Sequence, residues 1–327
     1  MNWVIGRRAV LIAVLVTVLS PLAAFAQSAP ATCKTGVFVS DIYKVSQPTR
    51  SFDSDLWFWS VCPNDDHRPL QTMEYINASK VDASLDSTIP RGAAVWSNRK
   101  VVGTWRHDWN VADFPFDRQT LHMVVEEGVD DSRTFVYDPD IQRSGYDNRI
   151  DIPGWKITGF RLTPSLETYT TSFGDPTLAV DASSDFSRLT IEVDIQREGL
   201  LYFLKLTAVA YIAAVLALMS FRIDPLEDFS ARFGLLAASL FATVVNMSSA
   251  NSQLGSADQL TLVDMIHIGG LLLIVGTAIL ALVSNHLVIH GHDQAANRRA
   301  DLRYLITCAV MFAIYNVALL IDVLIVH

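Results

Sequence analysis

The sequence predicts a β plus membrane-α protein, with a β-sandwich domain followed by a bundle of four transmembrane helices. Three observations carry this. Half of the 327 residues are hydrophobic, but they are unevenly spread. Residues 27–197 show short β-rich runs between turn residues, with 25 Asp and Glu against 17 Lys and Arg. Residues 198–327 hold four apolar stretches, each reaching the ~20 residues a helix needs to cross hydrocarbon.

Residues 1–26 read as a secretory signal peptide. Arg7 and Arg8 form its basic start, Ala9 to Leu19 its apolar run, and Ala24-Phe25-Ala26 a small-x-small cleavage site. An uncleaved anchor helix is the alternative. Export places residues 27–197 on the periplasmic or extracellular side of the inner (plasma) membrane, where disulfides persist. Cys33 and Cys62 lie symmetrically about a turn at Ser46-Gln47-Pro48-Thr49, so an antiparallel hairpin centred there sets them opposite each other. A Cys33–Cys62 bridge is expected, two free thiols being the alternative. Cys308, in the fourth span, reads as a small apolar packing residue.

The exported domain shows strand-like runs at Gly36–Val45, Phe52–Val61, Gln119–Glu126, Gly154–Leu162 and Arg188–Gln196, and no long amphipathic helix. The last run alternates cleanly, with Leu189, Ile191, Val193 and Ile195 on one face. Many short strands with Pro, Gly, Asp and Ser turns predict a sandwich. Its final strand enters the first span with almost no linker.

The spans are expected at about 200–221, 225–253, 260–289 and 302–326. Arg298, Arg299 and Arg303 place the last connection on the inner side. The second span begins apolar and ends Asn246-Met247-Ser248-Ser249-Ala250-Asn251-Ser252-Gln253. So many polar groups are costly against lipid. Buried among helices with one face on water, the same segment is reasonable, which points to a pore. Alternating steps of three and four collect Glu227, Ser230, Gly234, Ala238, Phe241, Val245, Ser248 and Ser252, the repeat of a helix packed around a central axis. Small residues leave a wide inner half, Phe241 and Val245 form apolar rings suited to a dewetting gate, and the serines line a wet outer mouth. The alternative is that Phe241 and Val245 pack against other spans, a rotation that sends Asn246 or Asn251 to lipid or a dry interface. Asp224-Pro225-Leu226-Glu227 reads as a helix start. Glu227 either completes a capping box or, with Asp228, presents a carboxylate ring that attracts cations. Arg232 lies off the pore face and is expected to pair with a neighbour.

Trp109-Asn110-Val111-Ala112-Asp113-Phe114-Pro115-Phe116-Asp117-Arg118-Gln119-Thr120-Leu121 resembles the signature loop of pentameric ligand-gated ion channels. The resemblance continues through Arg197, Arg232, Leu254 and Leu260-Thr261-Leu262-Val263-Asp264, and covers essentially the whole mature chain. In the animal Cys-loop receptors two cysteines flank this loop; here His107 and Leu121 stand in those places, as in the bacterial branch. The first span lacks the usual mid-span proline, the Trp-x-Pro run before the loop is missing, and the Lys44–Phe52 turn carries no carboxylate. The resemblance implies an immunoglobulin-like sandwich, a homopentamer, and coupling through Phe114, Pro115, Asp117, Arg197 and Leu254. A partly shielded Asp117–Arg197 pair would tie domain to helix.

The resemblance also implies an agonist site under the hairpin of about Tyr169–Phe186, with Phe173 and Phe186 as aromatic candidates. Tyr137, Tyr146, Trp57 and Trp59 could complete a cage for a cation, although core packing explains Trp57 and Trp59 equally. Small molecules or protons are the agonist classes, inorganic ions the permeant species. His290-Gly291-His292-Asp293 reads as a solvated linker and not a metal site. His267 either titrates or donates to a helix partner. No cofactor, nucleophile constellation or nucleic-acid surface is expected, so the chain is not read as an enzyme. A non-conducting periplasmic sensor or scaffold on the same fold is the rival.

Overall fold

The structure, a computed structural model, describes residues 29–323 except Thr177, Val180, Leu226, Gln253, residues 255–258 and His292. The signal-peptide reading of residues 1–26 and the end of the fourth span lie outside the described residues.

Ten strands come first: β1 (Ala31–Ser46), β2 (Ser51–Cys62), β3 (Met73–Tyr75), β4 (Ala78–Arg91), β5 (Ala94–Arg106), β6 (Arg118–Glu127), β7 (Phe135–Pro139), β8 (Gly145–Tyr146), β9 (Trp155–Tyr169) and β10 (Ser184–Arg197). One short helix, α1 (Pro69–Thr72), interrupts them. Two sheets result. One runs β4-β5-β2-β1-β7 with β8 also on β1, the other β3-β6-β10-β9. Phe52, Leu56 and Phe58 alternate into the core from β2, and Leu189, Ile191, Val193 and Ile195 from β10. Both sheets feed the same apolar cluster. Trp105 donates its indole N–H to Ser54 Oγ (2.8 Å), and that hydroxyl reaches Met123 Sδ on the other sheet (3.4 Å), so the polar atoms buried there are satisfied.

Cys33 and Cys62 are bridged across β1 and β2. Near the bridge Lys34 pairs with Val61, but at the hairpin end Ser46 pairs with Ser51. Two register irregularities, after Val39 and after Tyr43, absorb the difference and set the turn at Gln47–Arg50.

Four helices close the chain: α2 (Leu200–Met219), α3 (Phe229–Asn251), α4 (Leu262–Ile289) and α5 (Gln294–Ile321). All four are long and apolar enough to cross a membrane, which makes this a multi-pass membrane protein by length and composition. Helices α2, α3 and α4 pack mutually, while α5 lies mainly on α4. Two boundaries correct the sequence reading. Helix α3 begins at Phe229, not near 225, because the Asp224 carboxylate accepts the Glu227 N–H (3.2 Å) and an Arg298 N–H (3.0 Å), closing a separate turn. The N-cap position of α3 itself is Asp228. Helix α5 begins at Gln294, not 302, because Asp293 caps it by accepting from the Ala295 and Ala296 N–H groups.

Candidate functional site

The loop between β5 and β6 meets three of the four helices. Asp117 accepts from Arg197 Nε (2.6 Å) and Nη2 (3.3 Å), and its second oxygen also takes the Gln119 amide N–H (2.9 Å). The carboxylate is almost fully buried and the guanidinium nearly so. Arg197 lies 4.0 Å from the Trp155 ring centroid and 5.0 Å from that of Phe114, so two ring faces stabilise its charge. Phe114 then meets Tyr202 of α2 edge-on, and Phe116 meets Phe203.

The same loop reaches the other two inner helices. Phe114 and Val111 share an apolar cluster with Ala250, Leu254 and Val263. The Val111 N–H donates to the Gln259 side-chain oxygen (3.2 Å), and the Leu262 N–H to the Ala112 carbonyl (2.9 Å). Pro115, whose peptide with Phe114 is cis, brings its carbonyl so close to Gly199 that a Cβ there would sit 1.9 Å away. Gly199 is thus required by close approach, directly before α2. Thr261 and Asp264 form a reciprocal capping box at the start of α4.

Helix α3 has two distinct faces. Arg232, Leu236, Ser239, Thr243 and Ala250 are buried against neighbouring helices. Ser230, Gly234, Ala238, Phe241, Val245, Ser248 and Ser252 are exposed, with Glu227 and Asp228 exposed just before the helix. Phe241 is 71% exposed and Val245 47%, so within one chain neither packs as a core residue should. Asn246 differs from the sequence expectation, since it turns, half-buried, to the interface with α2 and α4 and is satisfied there. Its amide nitrogen donates to the Leu206 carbonyl (2.6 Å) and lies 2.7 Å from His267 Nε2. His267 is fully buried and donates Nδ1–H to the Val263 carbonyl (2.7 Å).

Arg232 occupies a socket at the end of the bundle away from the β region. It is fully buried, with Nη1 3.3 Å from Asp301 Oδ2 on α5 and its guanidinium 5.4 Å from the Phe221 ring centroid. Ser284 of α4 donates to the same Asp301 oxygen (3.0 Å) and accepts from the Asn297 amide (2.7 Å).

The aromatic candidates separate into two groups. Phe173 and Phe186 come together with Tyr169 in three edge-on contacts. They wall a cleft of about 770 Å³ whose charged lining is mostly carboxylate: Glu74, Glu126, Glu127, Asp130 and Asp131 beside Arg133. Burial holds Glu127 above the usual carboxylate range, against hydrogen bonds from Thr72 and two backbone N–H groups. Trp57 and Trp59 sit on the outer face of the first sheet, away from its core, beside Trp96 in a second cavity of about 390 Å³. Tyr146 is half-buried near Phe160. Tyr137 is a correction: it is buried in the core against Phe135 and Pro69, because β7 slots beside β1 with that side chain inward. It cannot line a cage.

Several residues central to these sites escaped the sequence reading. Tyr169 carries a short bond from its hydroxyl to Glu126 (2.8 Å), which Arg188 also binds. Asp301 reads as one more charge beside the inner loop. Their pairing depends on strands and helices far apart in sequence, so no local signal marks it. Among the described residues no group of three or more His, Cys, Asp or Glu could hold a metal. No protein-family model matches the chain, and no curated protein matches it in sequence.

Proposed function

We propose that the chain is one subunit of a homopentameric, ligand-gated, cation-conducting channel of the bacterial inner membrane, with its β region outside as an immunoglobulin-like sandwich. The two faces of α3 carry this reading. One side is buried in its own bundle. The other is a seven-residue repeat of small and hydroxyl residues interrupted by Phe241 and Val245, exposed within the described residues. Around a closed cyclic axis that free face surrounds a path for ions, and the two apolar rings close it by dewetting. The resemblance supplies the number five.

Gating follows from the loop contacts. A ligand in the cleft walled by Tyr169, Phe173 and Phe186 acts on β9 and β10, and β10 ends at Arg197. Arg197, Asp117 and Phe114 pass a displacement to α2 and to the Leu254 end of α3. Binding need only favour one of two existing arrangements to open the pore. Aromatic faces among carboxylates suit a small organic cation. The exposed Glu227 and Asp228 at the inner end of the helix favour cations in the path.

Planar bilayers with purified protein in a sodium chloride gradient test this, during a pH drop and then an amine and amino-acid screen. Gated current reversing near the sodium potential is expected, and Phe241→Ala is expected to raise resting current. Silence from both proteins sinks the channel reading and favours the non-conducting sensor.

A further inference from the structure

We propose that Asp301, on the helix farthest from the conduction path, strengthens the preference for cations in that path by cancelling Arg232; this rests on the channel reading above. Arg232 lies in the first turn and a half of α3, its N–H donating to the Asp228 carbonyl (3.0 Å). It therefore stands about one helical turn beyond Asp228, with its side chain buried in the bundle while Glu227 and Asp228 are exposed.

Its charge would still be felt in the pore. A helix with its side chains is about 10–12 Å across, so the guanidinium lies roughly 10 Å from the pore wall. That is close to the Debye length of about 8 Å at physiological salt. The intervening material is protein, not electrolyte: Arg232 is 0% exposed and Asp301 3%. Five such cations encircling the inner mouth would oppose the carboxylates there.

An arginine cannot relieve this by releasing its proton, whereas a lysine could. Cancellation must come from a carboxylate, and Asp301 at 3.3 Å is the one in ion-pair reach. It converts a positive point charge into a short dipole, whose field falls off far faster with distance. Ser284 and Asn297 hold that carboxylate in place from α4 and α5, and the Phe221 ring covers the other side of the guanidinium. Two guanidinium nitrogens and Asp301 Oδ1 find no partner among the described residues, so the charge balance rests on the Nη1–Oδ2 contact, with Ser284 bridging the same two atoms. Helix α5 itself lies mainly on α4, outside the three helices that pack together. A selectivity determinant there would escape a search confined to the pore lining.

The test is the sodium-to-chloride permeability ratio from reversal potentials in a salt gradient, for the wild type, Asp301→Asn, and Asp301→Asn with Arg232→Gln. The single change should lower the ratio roughly threefold or more, by the unscreened charge it exposes. The double change, which leaves no buried charge, should return the ratio close to the wild-type value. A purely structural role would not restore it. Wild-type sodium current with an unaltered ratio in Asp301→Asn overturns this inference alone, as does a double variant no better than the single one. A wild-type channel that prefers chloride also overturns it while leaving the channel reading intact. No current from the wild type overturns both. Where Asp301→Asn does not assemble, Arg232→Gln reads the opposite sign: inward sodium conductance rises, and an unchanged or lower conductance overturns the inference.

Discussion

Two buried Arg–Asp pairs stand at opposite ends of the helix bundle, and they are built differently. The pair at the strand–helix junction is networked: Arg197 makes two bonds to Asp117, stacks on two rings, and shares its partner with Gln119. The pair at the other end has one ion-pair contact, at 3.3 Å, bridged by the Ser284 hydroxyl and facing one ring, with unpartnered atoms on both sides. The difference teaches where each can bend. The junction has several supports for the same charge, so a motion can strain one while others hold. The other socket has a single direct ion-pair contact, with its acid held from α4, which suits a fixed anchor better than a moving joint.

Removing the acid from each pair breaks or sharpens that contrast. Asp301→Ala strands a fully buried guanidinium, and is expected to cost about 3–5 kcal/mol. Asp117→Ala leaves Arg197 between two aromatic faces and partly exposed, so about 1.5–3 kcal/mol is expected, the range for a hydrogen bond to a charged group. Denaturant unfolding of the detergent-solubilised protein measures both. Equal losses would mean that the rings add nothing. Lying between these two in size, the Cys33–Cys62 bridge is a control distant from both pairs. It closes a separation of 29 residues, so replacing both cysteines should cost about 3–4 kcal/mol through the unfolded chain. Its cost should add to either pair's, since distant sites behave independently. Coupling to Asp117→Ala alone would show that strain crosses the β region.

The same contrast marks what the sequence could disclose. Asp117 and Arg197 were expected to pair because the resemblance set them at one level, Asp117 in the signature loop and Arg197 at the end of a cleanly alternating strand. The alternation of Leu189 to Ile195 also fixed which face of β10 is buried, and the hairpin arithmetic placed Cys33 against Cys62. Strand β4 was not legible: Asp82, Ser84, Asp86, Ser87 and Pro90 give an edge strand exposed on most of its length, with no apolar face to betray it. Tyr137 misled because an aromatic residue in a polar segment looks the same whether it faces solvent or core. The Arg232 partner was expected, but its identity needed the packing of α5 on α4. Register between helices is set by side-chain fit, which one sequence does not display.

The smallest expected effect also separates the two ends, and it concerns acid. His107, at the start of the junction loop, is buried against Phe52 and Trp109. Burial holds its ring below the ordinary histidine range, His122 adds to this, and Gln119 and Asp108 pull the other way. A depressed value in the folded state means the neutral ring is the one the fold accommodates. Its contribution is complete above the ordinary histidine pKa near ~6.5 and is lost as pH falls through the lowered folded value. Glu127, held high by burial, runs in the opposite sense, because the fold favours its protonated form. The readout is therefore the difference between His107→Gln and wild type across mildly acidic pH, not the wild-type profile alone. The variant should lose less stability on acidification, and the gain should grow when Asp117 is already replaced, since Asp117 anchors the Gln119 side chain that holds the His107 value up. In an Asp301→Ala background the gain should remain, the inner socket lying at the far end of the bundle. A variant that acidifies in parallel with wild type would remove His107 from the account and leave the junction's acid response to its carboxylates.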